Sequence, residues 1–342
     1  MNENVIYFIA NYYYILIILI QMFYTSYYLK VRSERLCRYK EKKERLGLFL
    51  GCIGVLCFSL TLPTTRIAVE YFGPTVAGLG RTVIASLLAT IVLLIRKEKL
   101  PSAKQFKGLI IVALGAVLGF PLLTSWAMEK LPASHGAVEI ALLPLATAGF
   151  AIIRAGELPS FKFWIASIVG FMAVIVYAIQ LGLGQLQYAD FALLASVVIL
   201  AFSYAEGGQL ARDLGGWQVI AWALVIAAPF FIVPVLLNVS GEMLHAPLRA
   251  WVSFVYLALV SQFLAYVAWY SGLAMGGVSR VSQIQYLQPF LMILFSALLL
   301  NESITLFTMV TSVIVVLSVV LGKNTTVRKV QSTSQDSLSQ SK

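Results

Sequence analysis

Charge is scarce in this sequence. Asp, Glu, Lys and Arg make up 12% of its 342 residues, 60% are hydrophobic, and the mean hydropathy is +0.86. A soluble domain carries about 25% charged residues, so the deficit excludes a water-soluble globular fold and points to a polytopic membrane protein. Histidine is scarcer still, at two residues. No Ser/His/Asp constellation and no glycine-rich phosphate loop accompany them, so enzyme chemistry has no visible support. The three cysteines, Cys37, Cys52 and Cys57, show no metal-ligand spacing, and two sit in an apolar run, which gives no ground for a disulfide or a metal. No cofactor is implied. The net charge of +10 does not make a nucleic-acid binder, because the basic residues lie in short loops rather than along one helix face.

What the sequence has in quantity is long apolar runs. A bilayer needs about 20 residues of helix, and ten stretches qualify: 46–69, 74–95, 106–128, 132–153, 161–181, 190–211, 217–238, 250–273, 278–300 and 304–321. An eleventh, 5–29, is followed rather than preceded by a basic segment, opposite to a cleaved signal; it is expected to be an extra N-terminal helix. With the basic segment 30–46 placed inside, alternation puts Arg96, Lys97, Lys99, Lys104, Lys107, Arg154, Lys162, Arg212, Arg280 and Lys323 inside as well. The loops 183–189 and 301–303 carry no Lys or Arg, which is the pattern of the positive-inside rule. The Ser/Thr/Gln-rich tail, 323–342, is expected to be disordered and cytoplasmic.

The chain also echoes itself. Ser134/Ser279, Pro144/Pro289, Phe150/Phe295 and Glu157/Glu302 all stand at one offset of 145 residues, and Pro and Glu are rare enough in apolar runs for those two pairs to count. Ten spans then divide into a first five-helix repeat, 46–181, and a second, 190–321, after an N-terminal part, 1–45. An odd number of spans per half inverts the second half relative to the first, as in many secondary transporters.

Ionisable and amide groups inside spans normally face a cavity or a partner. Arg81 and Glu139 each lie seven residues into their spans, roughly 10 Å deep from the same outer side at about 1.5 Å per residue. They either line a vestibule, where they pair or hold a zwitterion with His135 tuning Glu139 one turn away, or form a structural ion pair. Glu206 lies near the inner end of its span in a polar stripe with Ser203 and Gln209; it lines the cavity or reaches inner headgroups. Gln262, Tyr266, Trp269 and Tyr270 share one helix face, as do Ser282, Gln285 and Pro289, with Gln283 alongside. These form either an aromatic-walled pocket with amide donors or, for Trp269 and Tyr270, an interface belt. The candidate substrate-binding set is therefore Arg81, His135, Glu139, Glu206, Gln262, Tyr266, Gln283 and Gln285. Glu157 and Glu302 precede spans, where a carboxylate favours a helix N-terminus, and are expected to cap the helices that follow them.

The sequence resembles the drug/metabolite transporter superfamily, EamA type. The residues that carry the resemblance are the duplicated unit, Arg81 in Gly-Leu-Gly-Arg-Thr-Val-Ile-Ala, the block from Leu131-Pro-Ala-Ser-His-Gly-Ala through Pro144 to Gly156-Glu157, and Val278-Ser279, Pro289 and Asn301-Glu302 in the second half. The resemblance covers about 46–321 and implies a ten-helix basket around a central cavity, moving amino acids, other metabolites or drugs across a cell membrane, with proton or counter-solute coupling left open. The segment before Lys30 departs from that pattern. A sugar or nucleotide-sugar carrier of the same superfamily, or a lipid-modifying membrane enzyme, is the alternative. The solute is not implied.

Overall fold

The computed structural model describes Tyr39, residues 41–162 and 188–300, single helical positions between 164 and 176 and between 310 and 317, and the strand residues 327–329. The N-terminal segment 5–29 and Glu302 fall outside these residues. The chain divides into two compact units, Met1–Arg45 and Leu46–Lys342. In the first, residues 41–45 are helical and Arg45 pairs with Glu41 at 2.6 Å.

The larger unit is helical. In chain order it holds α1 (46–59), α2 (Thr61–Thr75), α3 (Arg81–Arg96), α4 (Ala103–Val112), α5 (Phe120–Lys130), α6 (Ala133–Ile140), α7 (Leu143–Ala155), α8 (the helical positions between 161 and 176), α9 (Tyr188–Asp213), α10 (Gly216–Asn238), α11 (Leu248–Val255), α12 (Ala265–Gly276), α13 (Val278–Ser282) and α14 (Gln288–Leu300). Among the described residues six helical stretches are long and apolar enough to cross a membrane; the first of them ends at Arg96 and the last is Val278–Leu300. Many large apolar side chains face outward, among them Leu87, Ile91, Leu94, Phe230, Leu236 and Leu237; that surface is suited to lipid. Two three-residue strands, β1 (Glu157–Pro159) and β2 (Val327–Lys329), pair antiparallel.

Proline sets where the helices break. A proline has no N–H, and its ring displaces the carbonyl four residues earlier. Helix α1 ends at Ser59, four residues before Pro63; α6 ends at Ile140, four before Pro144; and the 3₁₀ turn Gln283–Leu287 contains Gln285, four before Pro289. The first two predicted spans part at Gly73, whose φ of 68° and ψ of 165° no helix contains, directly before Pro74. That left-handed φ suits glycine.

The repeat is written into the backbone. Helices α6 and α13 start 145 residues apart, as do α7 and α14, and α5 and α12. A π-helical stretch precedes α5 (Ala113–Gly119) and another precedes α12 (Tyr256–Leu264), and their last residues stand at the same offset. Packing follows the same exchange of halves: α6 packs on α14 and α7 on α13, while α2 packs on α5 as α9 packs on α12. Glycine lets the halves meet closely. A Cβ on Gly47 of α1 would lie 2.4 Å from the Gly276 nitrogen of α12, and one on Gly272 would lie 2.9 Å from the Gly47 carbonyl oxygen. Gly47 with Gly51 and Gly272 with Gly276 thus act as small-residue steps that bring backbones together, as membrane helices do.

Candidate functional site

The site begins with a carbonyl that has lost its helical donors. In the wide turn before α5, the Phe120 N–H reaches back to Gly115 O, and the next residue, Pro121, has no N–H to give. The Ala116 carbonyl is left to side chains of the other half: Gln262 Nε2 donates to it at 3.1 Å and Tyr266 Oη at 3.3 Å. The neighbouring Val117 carbonyl, also short of a donor because of Pro121, accepts Thr82 Oγ1 at 3.1 Å. Thr61 and Ser261 join hydroxyls at 2.9 Å. Buried carbonyls need such donors, and here side chains supply them, for Ala116 across the repeat boundary and for Val117 within the first half.

Around this junction stand five packed rings. Phe58 of α1, Tyr204 of α9, and Tyr266, Trp269 and Tyr270 of α12 have centroids 4.9–6.4 Å apart. All five are buried. Trp269 and Tyr270 therefore belong to the core and not to an interface belt. The cluster rests on Gly207, where a Cβ would stand 2.3 Å from the Tyr270 ring. The Tyr204 hydroxyl stands beside Tyr266 and Gln285, while Ser203 and Tyr270 share a 3.2 Å hydroxyl contact.

Arg81 is 1% exposed. Its Nη1 donates to Thr65 Oγ1 at 3.4 Å, and its Nε and Nη2 have no acceptor. Its electrostatic neighbour is the Tyr266 hydroxyl. The expected vestibule pair is thus not formed: among the described residues no carboxylate lies within ion-pair distance of Arg81, and Glu139 is half-buried in the last turn of α6. The His135 backbone lies in α6, and its side chain falls outside the described residues. Gln262, Tyr266, Gln283 and Gln285 are all buried at 1–2% exposure, and neither amide atom of Gln285 makes a hydrogen bond, although the Tyr204 hydroxyl stands beside it.

Two carboxylates are engaged in ways the sequence concealed. Glu206 binds Arg154, whose Nε and Nη2 lie 2.6 and 2.5 Å from Oε2 and whose guanidinium stacks 5.7 Å from the Phe202 ring. Glu157 caps a helix, but not the following one. Its Oε1 accepts the Val278 N–H at 2.9 Å, its Oε2 accepts the Ser279 N–H at 2.7 Å, and Arg212 lies 2.5 Å from Oε1. The helix it caps is α13, in the other half. Sequence reasoning missed Thr65, Phe58, Tyr204 and Arg154 in these roles. The signals for them were weak: isolated polar or aromatic residues in apolar runs, with partners distant in sequence.

The sequence matches the EamA-like transporter family twice, over residues 45–179 and 187–322. The chain belongs to this family. It is an integral, multi-pass membrane protein of the transporter class. It is similar to the uncharacterized transporter YdeK of Bacillus subtilis strain 168, at 42% identity over 75% of this chain and 90% of that one. A probable terminal-alkyne amino-acid exporter of Streptantibioticus cattleyicolor is 22% identical over 69% of this chain and 79% of that one. A protein of known crystal structure shares the fold with a TM-score of 0.65, at 16% identity over 81% of this chain and 98% of that one.

Proposed function

We propose that this EamA family member is a secondary carrier that exports small organic solutes, such as amino acids, other metabolites or drugs, by alternating access between two inverted halves. The observation that carries the reading is the matched irregularity of the halves. Wide turns end at Gly119 and Leu264, and second half-helices begin at Leu143 and Gln288, all in one register. Broken helices that cross in exchangeable pairs give each half a hinge at the same place, and a carrier needs equivalent hinges for its two faces. The buried polar junction between them is closed from water in this conformation, as a carrier's centre is between openings. The protein sits in the plasma membrane with its C-terminus cytoplasmic, on the placement of the basic loops. Arg81, Glu139, Gln262, Tyr266, Gln283 and Gln285 line the solute path. Coupling to a proton, with Glu139 as the titrating group, or to a counter-solute completes the cycle.

The test is counterflow. Purified protein in liposomes preloaded with an unlabelled amino acid or amine is given the labelled one outside. A carrier gives uptake that saturates with concentration and is stimulated several-fold by the trans solute. Flux linear in concentration and indifferent to the trans side makes the protein a pore and overturns the reading.

A further inference from the structure

The arginines of this chain divide by what their guanidinium groups touch. Arg66 donates to the Met128 and Glu129 carbonyls, Arg154 holds Glu206, and Arg212 holds Glu157. Arg81 is more deeply buried than any of these and holds least: one long contact to Thr65 and two nitrogens with no acceptor. The two bare nitrogens are informative by position. Nε and Nη2 form one edge of the guanidinium fork, with parallel N–H bonds at the spacing of the two oxygens of a carboxylate. The contact to Thr65 engages Nη1 only and leaves that edge free.

A cation in a low-dielectric interior without a counter-charge is costly, and such groups in membrane spans mark ligand paths. Its position in the second half is occupied by Ile226, at the offset of 145, so the fold itself does not require a cation there. Beside Arg81 stands Tyr266, whose ring belongs to the cluster with Phe58 and Tyr204.

We propose that the Nε–Nη2 edge of Arg81 receives the carboxylate of the transported solute, and that the solute's apolar or aromatic body lies against the Phe58–Tyr204–Tyr266 rings. The substrate class is thus a monocarboxylate with a hydrophobic side chain, whether or not it also carries an amine. A single cation suits one negative charge. Among the described residues no second guanidinium or ammonium shares the site, which disfavours phosphorylated sugars and nucleotides. The inference rests on the carrier reading.

The experiment uses matched pairs that differ only at the carboxylate: L-phenylalanine and L-phenylalaninamide, L-leucine and L-leucinamide, 3-phenylpropanoate and its amide. Binding is measured as ligand-dependent thermal unfolding of the full-length detergent-purified protein. At least one acid gives a saturable rise in melting temperature, and its amide needs at least tenfold more ligand for the same rise. Arg81→Lys, which keeps the charge and loses the fork, weakens the acid about tenfold, and Arg81→Gln about a hundredfold. Acid and amide binding alike, Arg81→Gln binding the acid within threefold of the wild type, or no acid producing a shift, each overturns the proposal. Should counterflow of an amine or an amide persist alongside such a failure, the carrier reading stands and the carboxylate assignment falls alone.

Discussion

Glu157 and Arg81 are both 1% exposed and both carry charge, yet the protein treats them differently. Both carboxylate oxygens of Glu157 are engaged by neighbours from other elements: two N–H groups at the start of α13 and the guanidinium of Arg212 on α9. It joins the end of one half's broken helix to the beginning of the other's. Arg81 follows a wide turn, Val76–Gly80, that has no counterpart in helix α10, and two of its three guanidinium nitrogens are bare. A buried charge that is fully partnered holds structure together; the proposal made above assigns the one kept short of partners to a solute.

The largest effect should come from breaking the satisfied side. Glu157→Ala leaves Arg212 and the first two N–H groups of α13 without an acceptor. Removing one partner of a buried pair costs roughly 3–5 kcal/mol, so denaturant unfolding in detergent should show a loss of that size. A loss near zero would mean the cap is incidental. Next is the contact that lets the halves approach: Gly47→Val drives a side chain into the α12 backbone at Gly276, and overpacking costs about 1–3 kcal/mol. A smaller, more diagnostic effect belongs to the shared carbonyl of Ala116. Gln262→Leu and Tyr266→Phe each remove one of its two donors, at about 1 kcal/mol apiece. The double variant should lose more than the two single losses together, because only then is the carbonyl bare. At the small end, Arg249 is 64% exposed in its contacts with Tyr71 and Glu70, and Arg249→Gln should leave unfolding unchanged.

Much of the frame was legible in the sequence, for a physical reason. Proline removes a helical donor, so the pair Pro144 and Pro289 announced matched breaks, although Pro229 and Pro234 lie inside an unbroken α10, and charge is so costly in lipid that Arg81 declared itself. The wide turns were not legible, since one extra residue in a turn leaves the hydropathy of an apolar run unchanged. Nor were the partners. That Glu157 would cap a helix followed from its position before one. That the helix would be α13, more than 120 residues away, followed only from how the halves pack. Trp269 and Tyr270 read from the sequence as pocket wall or interface belt, and only their packing with Phe58 and Tyr204 places them in the core. The pairing of Glu206 with Arg154 was hidden in the same way, with Arg154 standing in a different repeat.

The most direct test of the account needs no ligand. Wild type, Arg81→Met and Glu157→Gln are unfolded side by side in the same detergent, and their stabilities compared. If Arg81 is held for a solute, replacing an unpaired buried cation by an apolar side chain of similar length should leave the empty protein as stable as the wild type or more so, while Glu157→Gln lowers stability. If Arg81→Met falls as far as Glu157→Gln, Arg81 is as much a structural charge as Glu157, and the distinction between the two sites is wrong.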